Sequence, residues 1–93
     1  SDKVLSYIAT NLGRDWTMIA LRLGVQQVLI EQVQINHQHN VHDQIVSALK
    51  KWRSMNRENI SSEDKLNELF DVLSSDDVGQ LELVEKIKEF CQL

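Results

Sequence analysis

Three histidines in one short stretch have the spacing that most resembles a chemical site. His37, His39 and His42 form the pattern His-x-His-x-x-His, and imidazole nitrogens at that density can bind zinc or nickel. A structural zinc site takes four ligands, usually including cysteine, and the single cysteine, Cys91, lies about fifty residues further along the chain. We therefore interpret the pattern as a solvated loop with exposed histidines, and we predict no functional metal site.

Other catalytic patterns are weak in this chain. Cys91 is a candidate for a thiol–imidazole pair, but it continues the apolar stripe of the last predicted helix, which favours a buried structural cysteine. The three glycines, Gly13, Gly24 and Gly79, are isolated and form no phosphate-binding loop. We therefore expect no enzymatic activity, no cofactor and no small-molecule substrate.

A DNA-reading motif is the second candidate site. Ala20, Gly24 and Ile30 stand at the spacing A-x3-G-x5-I, which resembles the helix-turn-helix of DNA-binding proteins. Gln26 and Gln27 would then start the recognition helix with adenine-reading side chains. However, residues 25–49 contain no lysine or arginine, and phosphate contacts supply most of the non-specific affinity for DNA. Close helix packing explains the spacing equally well, so we expect no nucleic-acid partner and keep DNA binding as an alternative function.

The elements that must position these residues are helices. Apolar residues recur at intervals of three and four, strand-type alternation is missing, and proline is absent. In the most organised stretch, Gly13–Val25, the Asp15 carboxylate is predicted to cap a helix, Trp16 begins its apolar face, and Gly24 ends it in a left-handed conformation. The predicted fold is all-α, with helices over about residues 4–12, 15–23, 26–35, 41–55, 61–73 and 80–91.

The last three predicted helices carry further detail. Basic residues of the fourth lie outside its apolar stripe and near its C-terminus, where cations suit the helix dipole. Ser61 or Ser62 is predicted to cap the fifth helix, and Asp76 or Asp77 the sixth, although Gly79 delays the start of that helix to about Gln80. The apolar stripes comprise Val41, Ile45, Ala48, Leu49 and Trp52 in the fourth helix, and Leu81, Val84, Ile87 and Cys91 in the sixth. Trp16 and Trp52 both fall on apolar stripes, so we predict that they pack in the core.

Composition points to a single domain over residues 1–93. Hydrophobic residues make up 42% of the 93, and no apolar run approaches the length of a membrane span. One cysteine cannot form an internal disulfide, and the polar start of the chain does not resemble a secretory signal. We expect a cytoplasmic domain with no membrane partner.

Charge is distributed unequally along the chain. Residues 1–57 contain seven Lys/Arg and four Asp/Glu, a net charge of +3, whereas residues 58–93 contain three lysines and ten Asp/Glu, a net charge of −7. The sum is the overall net charge of −4. We therefore predict an electrically two-sided domain, a property that governs association more than folding.

The two tryptophan segments together resemble the death domain family, of the kind found in signalling adaptors. Asp15-Trp16, Ala20 and Leu23-Gly24-Val25 match the family's D-W-x3-A-x2-L-G pattern, and residues 43–53 match its fourth-helix pattern, in which a glutamine and a leucine precede K-W-R. The chain departs from the family at Gln26, where a serine usually starts the third helix, and in a few extra residues around 79–82. Further matching positions are Ile30 and Val33 for the third helix, Leu66 and Leu69 for the fifth, and Leu83–Ile87 for the sixth.

This resemblance implies a six-helix antiparallel bundle that performs no chemistry. Death domains associate with other death domains, heterotypically or homotypically, in apoptosis and innate immune signalling, and a head-to-tail contact between them can extend into oligomers. One contact class of the family joins the fourth helix and the loop after it to the region around the start of the sixth. A different death-fold module, of the caspase-recruitment or death-effector type, is a further alternative. The resemblance places partner binding on a basic surface of Lys50, Lys51, Arg53 and Arg57, and on an acidic surface of Asp76 and Asp77.

Overall fold

Helices account for all the regular structure of the described chain. The computed structural model describes residues 2–55 and 61–92, in which there are six α-helices and no strands. None of these helices is both long and apolar enough to cross a bilayer. This confirms the predicted all-α class and the predicted number of helices. The helices are α1 Asp2–Leu12, α2 Trp16–Arg22, α3 Gln27–Asn36, α4 Val41–Ser54, α5 Ser62–Ser74 and α6 Leu81–Cys91.

The bundle is built around α1 and α4. Helix α1 packs against α4 and α6, α3 packs on α4, α5 packs on α6, and α2 contacts α3, α4 and α5. Helices α1 and α4 run antiparallel, because Arg53 near the end of α4 reaches Asp2 at the start of α1, while His42 near the start of α4 contacts Ser6. Each fully buried aliphatic side chain stabilises the bundle by about 1.5–3 kcal/mol relative to an exposed one. Such side chains come from five helices and the α2–α3 turn: Ile8, Leu12, Ile19, Leu23, Val25, Ile30, Val33, Leu69, Leu73 and Ile87.

Both tryptophans are buried, as predicted. Trp16 is 5% exposed and Trp52 is 3% exposed. The indole Nε1 of Trp52 donates to Glu68 Oε1 at 3.2 Å, and Lys65 Nζ donates to the Trp52 carbonyl oxygen at 2.7 Å. The same ammonium lies 5.2 Å from the centre of the indole ring. The carbonyl hydrogen bond and the ring contact stabilise the buried ammonium of Lys65, and they join the end of α4 to α5.

Gly24 ends α2 as predicted, and the geometry shows why glycine is needed there. Its φ of 98° lies in the region that L side chains avoid. The Gly24 amide donates to the Leu21 carbonyl, and the Val25 amide donates to the Ala20 carbonyl, each at 3.0 Å. These two bonds form a Schellman motif, and Val25 is buried just after it. The end of α2 at Gly24 and the burial of Ala20 and Ile30 therefore account for the Ala20–Gly24–Ile30 spacing.

Of the three predicted N-terminal helix caps, one is confirmed and two are wrong. Ser61, one of the two serines predicted for α5, forms a capping box in which Ser61 Oγ accepts from the Asp64 amide at 3.1 Å. Asp15 precedes α2, but its carboxylate makes no cap hydrogen bond, because its φ and ψ of −85° and 13° are not the extended values of an N-cap.

Neither Asp76 nor Asp77 caps α6, which begins at Leu81 after Gln80, as the effect of Gly79 predicts. The intervening chain closes its own turn: the Gly79 amide donates to the Ser75 carbonyl and the Gln80 amide to the Leu73 carbonyl, both at 2.8 Å. This turn holds the two aspartates several residues before the helix.

Two predicted stripe residues lie outside the core. Val41 is 57% exposed and Leu81 is 61% exposed. Each is the first residue of its helix, and burial starts two or three residues later, at Gln44 and Ile45 in α4 and at Leu83 and Val84 in α6. Cys91 is half-buried against the core, consistent with a structural position at the end of its stripe.

Candidate interaction surface

The basic surface lies at the C-terminal end of α4, where the helix dipole favours cations. Lys51 and Arg53 belong to its last turn, and Lys50 and Arg53 are exposed. Arg57, the remaining predicted member, lies outside the described residues. The surface therefore rests on Lys50, Lys51 and Arg53 as the structure describes it.

Asp2 lies within this basic surface. Arg53 Nη1 donates to Asp2 Oδ1 at 2.8 Å, and Lys50 Nζ lies 3.9 Å from Asp2 Oδ2. The Arg53 hydrogen bond, followed by the charge of Lys50, lowers the pKa of Asp2 below its ordinary value. The aspartate joins the start of α1 to the end of α4. Together with Lys50, Lys51 and Arg53 it forms a group with a net charge of +2. In the described chain Lys51 makes no ion pair.

The acidic surface lies in the turn between α5 and α6. Asp76 and Asp77 are both exposed, and Asp77 Oδ2 accepts a hydrogen bond from Arg22 Nη2 at the end of α2. No described residue forms an ion pair with Asp76. Together, Arg22, Asp76 and Asp77 carry a net charge of −1, opposite in sign to the basic surface.

The two surfaces lie at opposite ends of α1. The basic surface contacts Asp2, the first residue of that helix, whereas Gln80, just after the acidic turn, donates from Nε2 to the Leu12 carbonyl at 3.4 Å. An α-helix of 11 residues is about 16 Å long. One copy therefore cannot bring its own two surfaces together, whereas two copies can.

The histidine motif is spread over several environments. Nε2 of His42 lies 3.3 Å from the Ser6 carbonyl oxygen, so its ring packs onto α1, while the His37 carbonyl accepts from Gln44 Nε2 at 2.9 Å. Within residues 2–55 and 61–92, no group of three His, Cys, Asp or Glu residues is placed to hold a metal ion.

The alternative DNA-reading helix, α3, carries Glu31 as its one charged residue.

Two residues of these surfaces could not be found from sequence patterns. Asp2 is 51 positions from Arg53, and Arg22 is 55 positions from Asp77. Neither belongs to a motif or a local charge pair at helical spacing. The fold alone brings them to the two surfaces.

Comparison with known proteins assigns a family to this bundle. The death domain family model matches residues 2–91. The FAS-associated death domain protein of Bos taurus is 34% identical over 55 residues, which are 59% of this chain and 26% of that protein. The chain thus matches about a quarter of the length of this curated relative. No solved structure gave a significant match.

Proposed function

The chain belongs to the death domain family, a family of protein-interaction modules, and from that premise we propose that it serves a cytoplasmic signalling adaptor by recruiting other death domains. Its partners are the death domains of other proteins or further copies of this chain. The signalling belongs to apoptosis or to innate immunity, the two settings that the family resemblance implies. The binding itself requires no catalytic step.

Recruitment proceeds in this proposal through the two charged surfaces. The basic surface of one domain, including Arg57, meets an acidic surface of the next, and complementary charge steers the encounter and sets its orientation. The single observation that carries the proposal is the position of two oppositely charged groups at opposite ends of α1. A contact that joins unlike surfaces is heterologous, so it can extend into an oligomer instead of closing as a dimer.

Reversal of one charge tests this contact. Lys51→Glu is the sharpest variant, because in the described residues Lys51 makes no ion pair that the change would break. The immobilised wild-type chain should capture death-domain proteins from cytosol, identified by mass spectrometry, and a second labelled copy of itself. With Lys51→Glu in both the immobilised and the labelled copy, capture of the labelled copy should fall by about tenfold or more, since the change removes one attraction and adds a repulsion at every such contact.

Arg14→Glu is the matched control. It makes the same change of charge at an exposed position in the α1–α2 turn, at the far end of α1 from the basic surface. Circular dichroism should show both variants folded, and Arg14→Glu should not weaken capture, because it adds negative charge at the acidic end of α1. Equal capture by the wild type and Lys51→Glu would contradict the proposed surface.

Salt concentration provides a second readout of the same contact. Exposed charges are screened over about 10 Å at 0.1 M salt and over about 3 Å at 1 M. Capture by the wild-type chain should therefore fall steeply between these concentrations. A salt-independent interaction would mean that apolar contacts, not the charged surfaces, hold the complex together.

A further inference from the structure

Two stretches of the chain combine a serine pair with an acidic pair. Residues 61–64 read Ser-Ser-Glu-Asp and residues 74–77 read Ser-Ser-Asp-Asp. In both, the first serine is followed by carboxylates two and three positions later. A protein kinase with a basic substrate groove recognises a serine in such surroundings by charge complementarity.

The fold makes the first stretch a poor kinase substrate. Ser61 Oγ already accepts a hydrogen bond from the Asp64 amide, and Asp64 Oδ2 accepts one from the Ser61 amide at 3.4 Å. Both side chains thus form the capping box at the start of α5. A kinase could read this stretch only after the first turn of α5 had unwound.

In the second stretch the first serine is not part of a cap, although the turn after it is hydrogen-bonded and Asp77 pairs with Arg22. Ser74 is the last residue of α5 and is exposed, and Asp76 and Asp77 are exposed in the turn that follows. Within the described chain, Ser74 Oγ makes no hydrogen bond. The neighbouring Ser75 is half-buried, and its Oγ donates to the Val72 carbonyl at 2.8 Å. Of the described serine side chains in the two stretches, Ser74 is therefore more accessible than Ser61 and Ser75.

We propose that Ser74 is a phosphorylation site for an acidophilic serine/threonine kinase, and that its phosphate strengthens the acidic surface. In this reaction Ser74 Oγ attacks the γ-phosphorus of Mg²⁺-bound ATP. The new O–P bond forms as the bond between the γ-phosphorus and the β,γ-bridging oxygen breaks, ADP leaves with that electron pair, and a carboxylate base of the kinase takes the hydroxyl proton.

The consequence for association follows from charge, and this part of the proposal rests on the proposed function. A phosphoserine adds a charge of about −1.5 to −2, which changes the net charge of Arg22, Asp76 and Asp77 from −1 to about −2.5 to −3. The phosphate can also compete with Asp77 for Arg22. A more negative acidic surface attracts the basic surface of the next domain more strongly.

Phosphate mapping tests the site itself. The purified chain is incubated with an acidophilic serine/threonine kinase, Mg²⁺ and ATP, and the modified residues are identified by mass spectrometry. Ser74 should be modified about tenfold faster than Ser61, because Ser74 is exposed at a helix end, whereas Ser61 becomes available only when the capping box and the first turn of α5 open. Ser74→Ala should remove the main product. Modification mainly at Ser61, or no modification of Ser74, would overturn the proposal.

A matched pair of variants tests recognition of the carboxylates. Asp77→Asn removes the charge three residues after Ser74, and Asp71→Asn removes an exposed charge three residues before it. Asp77→Asn should slow phosphorylation of Ser74 by about fivefold or more, whereas Asp71→Asn should change the rate less than about twofold. Equal effects would mean that net charge, not the stretch 74–77, guides the kinase.

Association is then compared between the phosphorylated and unphosphorylated chains. The probe is a labelled second copy carrying Ser74→Ala, so that the basic surface it offers is the same in both measurements. The phosphorylated chain should bind it about tenfold more tightly at low salt. Equal affinities would overturn the regulatory part of the proposal. If neither form binds, the homotypic contact of the proposed function is wrong, while the modification site is still decided by phosphate mapping.

Discussion

The interior around the two tryptophans and the charged ends of α1 are stabilised in different ways. Trp16 and Trp52 are at least 95% removed from solvent and pack among aliphatic side chains of the bundle. The ion pairs at the two ends of α1 lie between side chains that are each about 40% exposed or more. Exposed ion pairs contribute little to stability, because water and salt screen them, whereas truncation of a buried aromatic costs about 3–5 kcal/mol.

The comparison separates folding from recognition. The interior stabilises the bundle and leaves little for a partner to contact. The ion pairs at the charged ends contribute little to stability. They can therefore break so that their side chains contact a partner, at a small cost in unfolding free energy. Variants of the interior should therefore change the free energy of unfolding, and variants of the ends should change association, as Lys51→Glu tests directly.

The largest expected effect comes from Trp16→Ala. Truncation of this buried aromatic should cost about 3–5 kcal/mol of unfolding free energy, a large share of the stability of a small domain. Chemical denaturation monitored by circular dichroism measures the loss. Trp16→Phe keeps an aromatic ring and should cost clearly less. Near-wild-type stability of Trp16→Ala would mean that Trp16 is not part of the stabilising core.

Gly24→Ala should have an intermediate effect. An L side chain at a φ of 98° is strained by about 1–2 kcal/mol, so the midpoint of denaturation should fall. Gly24→Asn is the control, because asparagine tolerates left-handed conformations better than alanine. The molecules that remain folded should still bind a second copy normally. Loss of binding at full stability would place the α2–α3 turn in the interface and break the separation between interior and ends.

Asp2→Asn should have the smallest effect on stability. The pKa of Asp2 is lower in the folded chain, so its contribution is present above its ordinary pKa of 3.8 and is lost as the pH falls through the lowered value. The difference in melting temperature between wild type and Asp2→Asn should therefore be small at pH 7 and vanish in strong acid.

The same Asp2→Asn variant should strengthen association, although it slightly lowers stability. Asp2→Asn raises the net charge of the basic surface with Asp2 from +2 to +3, so an acidic partner should bind more tightly. Weaker binding of this variant would show that Asp2 itself contacts the partner.

Most of the fold follows from local rules. Apolar spacing predicts six helices, and the capping box at Ser61 and the glycine at position 24 mark two of their ends, because such signals depend on residues a few positions apart. The wrong predictions also concern helix caps, at positions where the surrounding backbone prevents the side chain from capping. Asp15 does not have the backbone angles of a cap, and a hydrogen-bonded turn holds Asp76 and Asp77 away from the start of α6.

The sequence by itself determines the helices, the buried tryptophans and the unequal distribution of charge, because these depend on residue type and short-range spacing. Only the tertiary structure decides that Asp2 joins Arg53 and Arg22 joins Asp77, across 51 and 55 positions. It also decides that, of two similar serine–acid stretches, one forms the cap that begins α5, while the other ends the same helix with Ser74 exposed. The physical reason is that burial and pairing depend on how the helices pack, and packing joins residues that no local pattern connects.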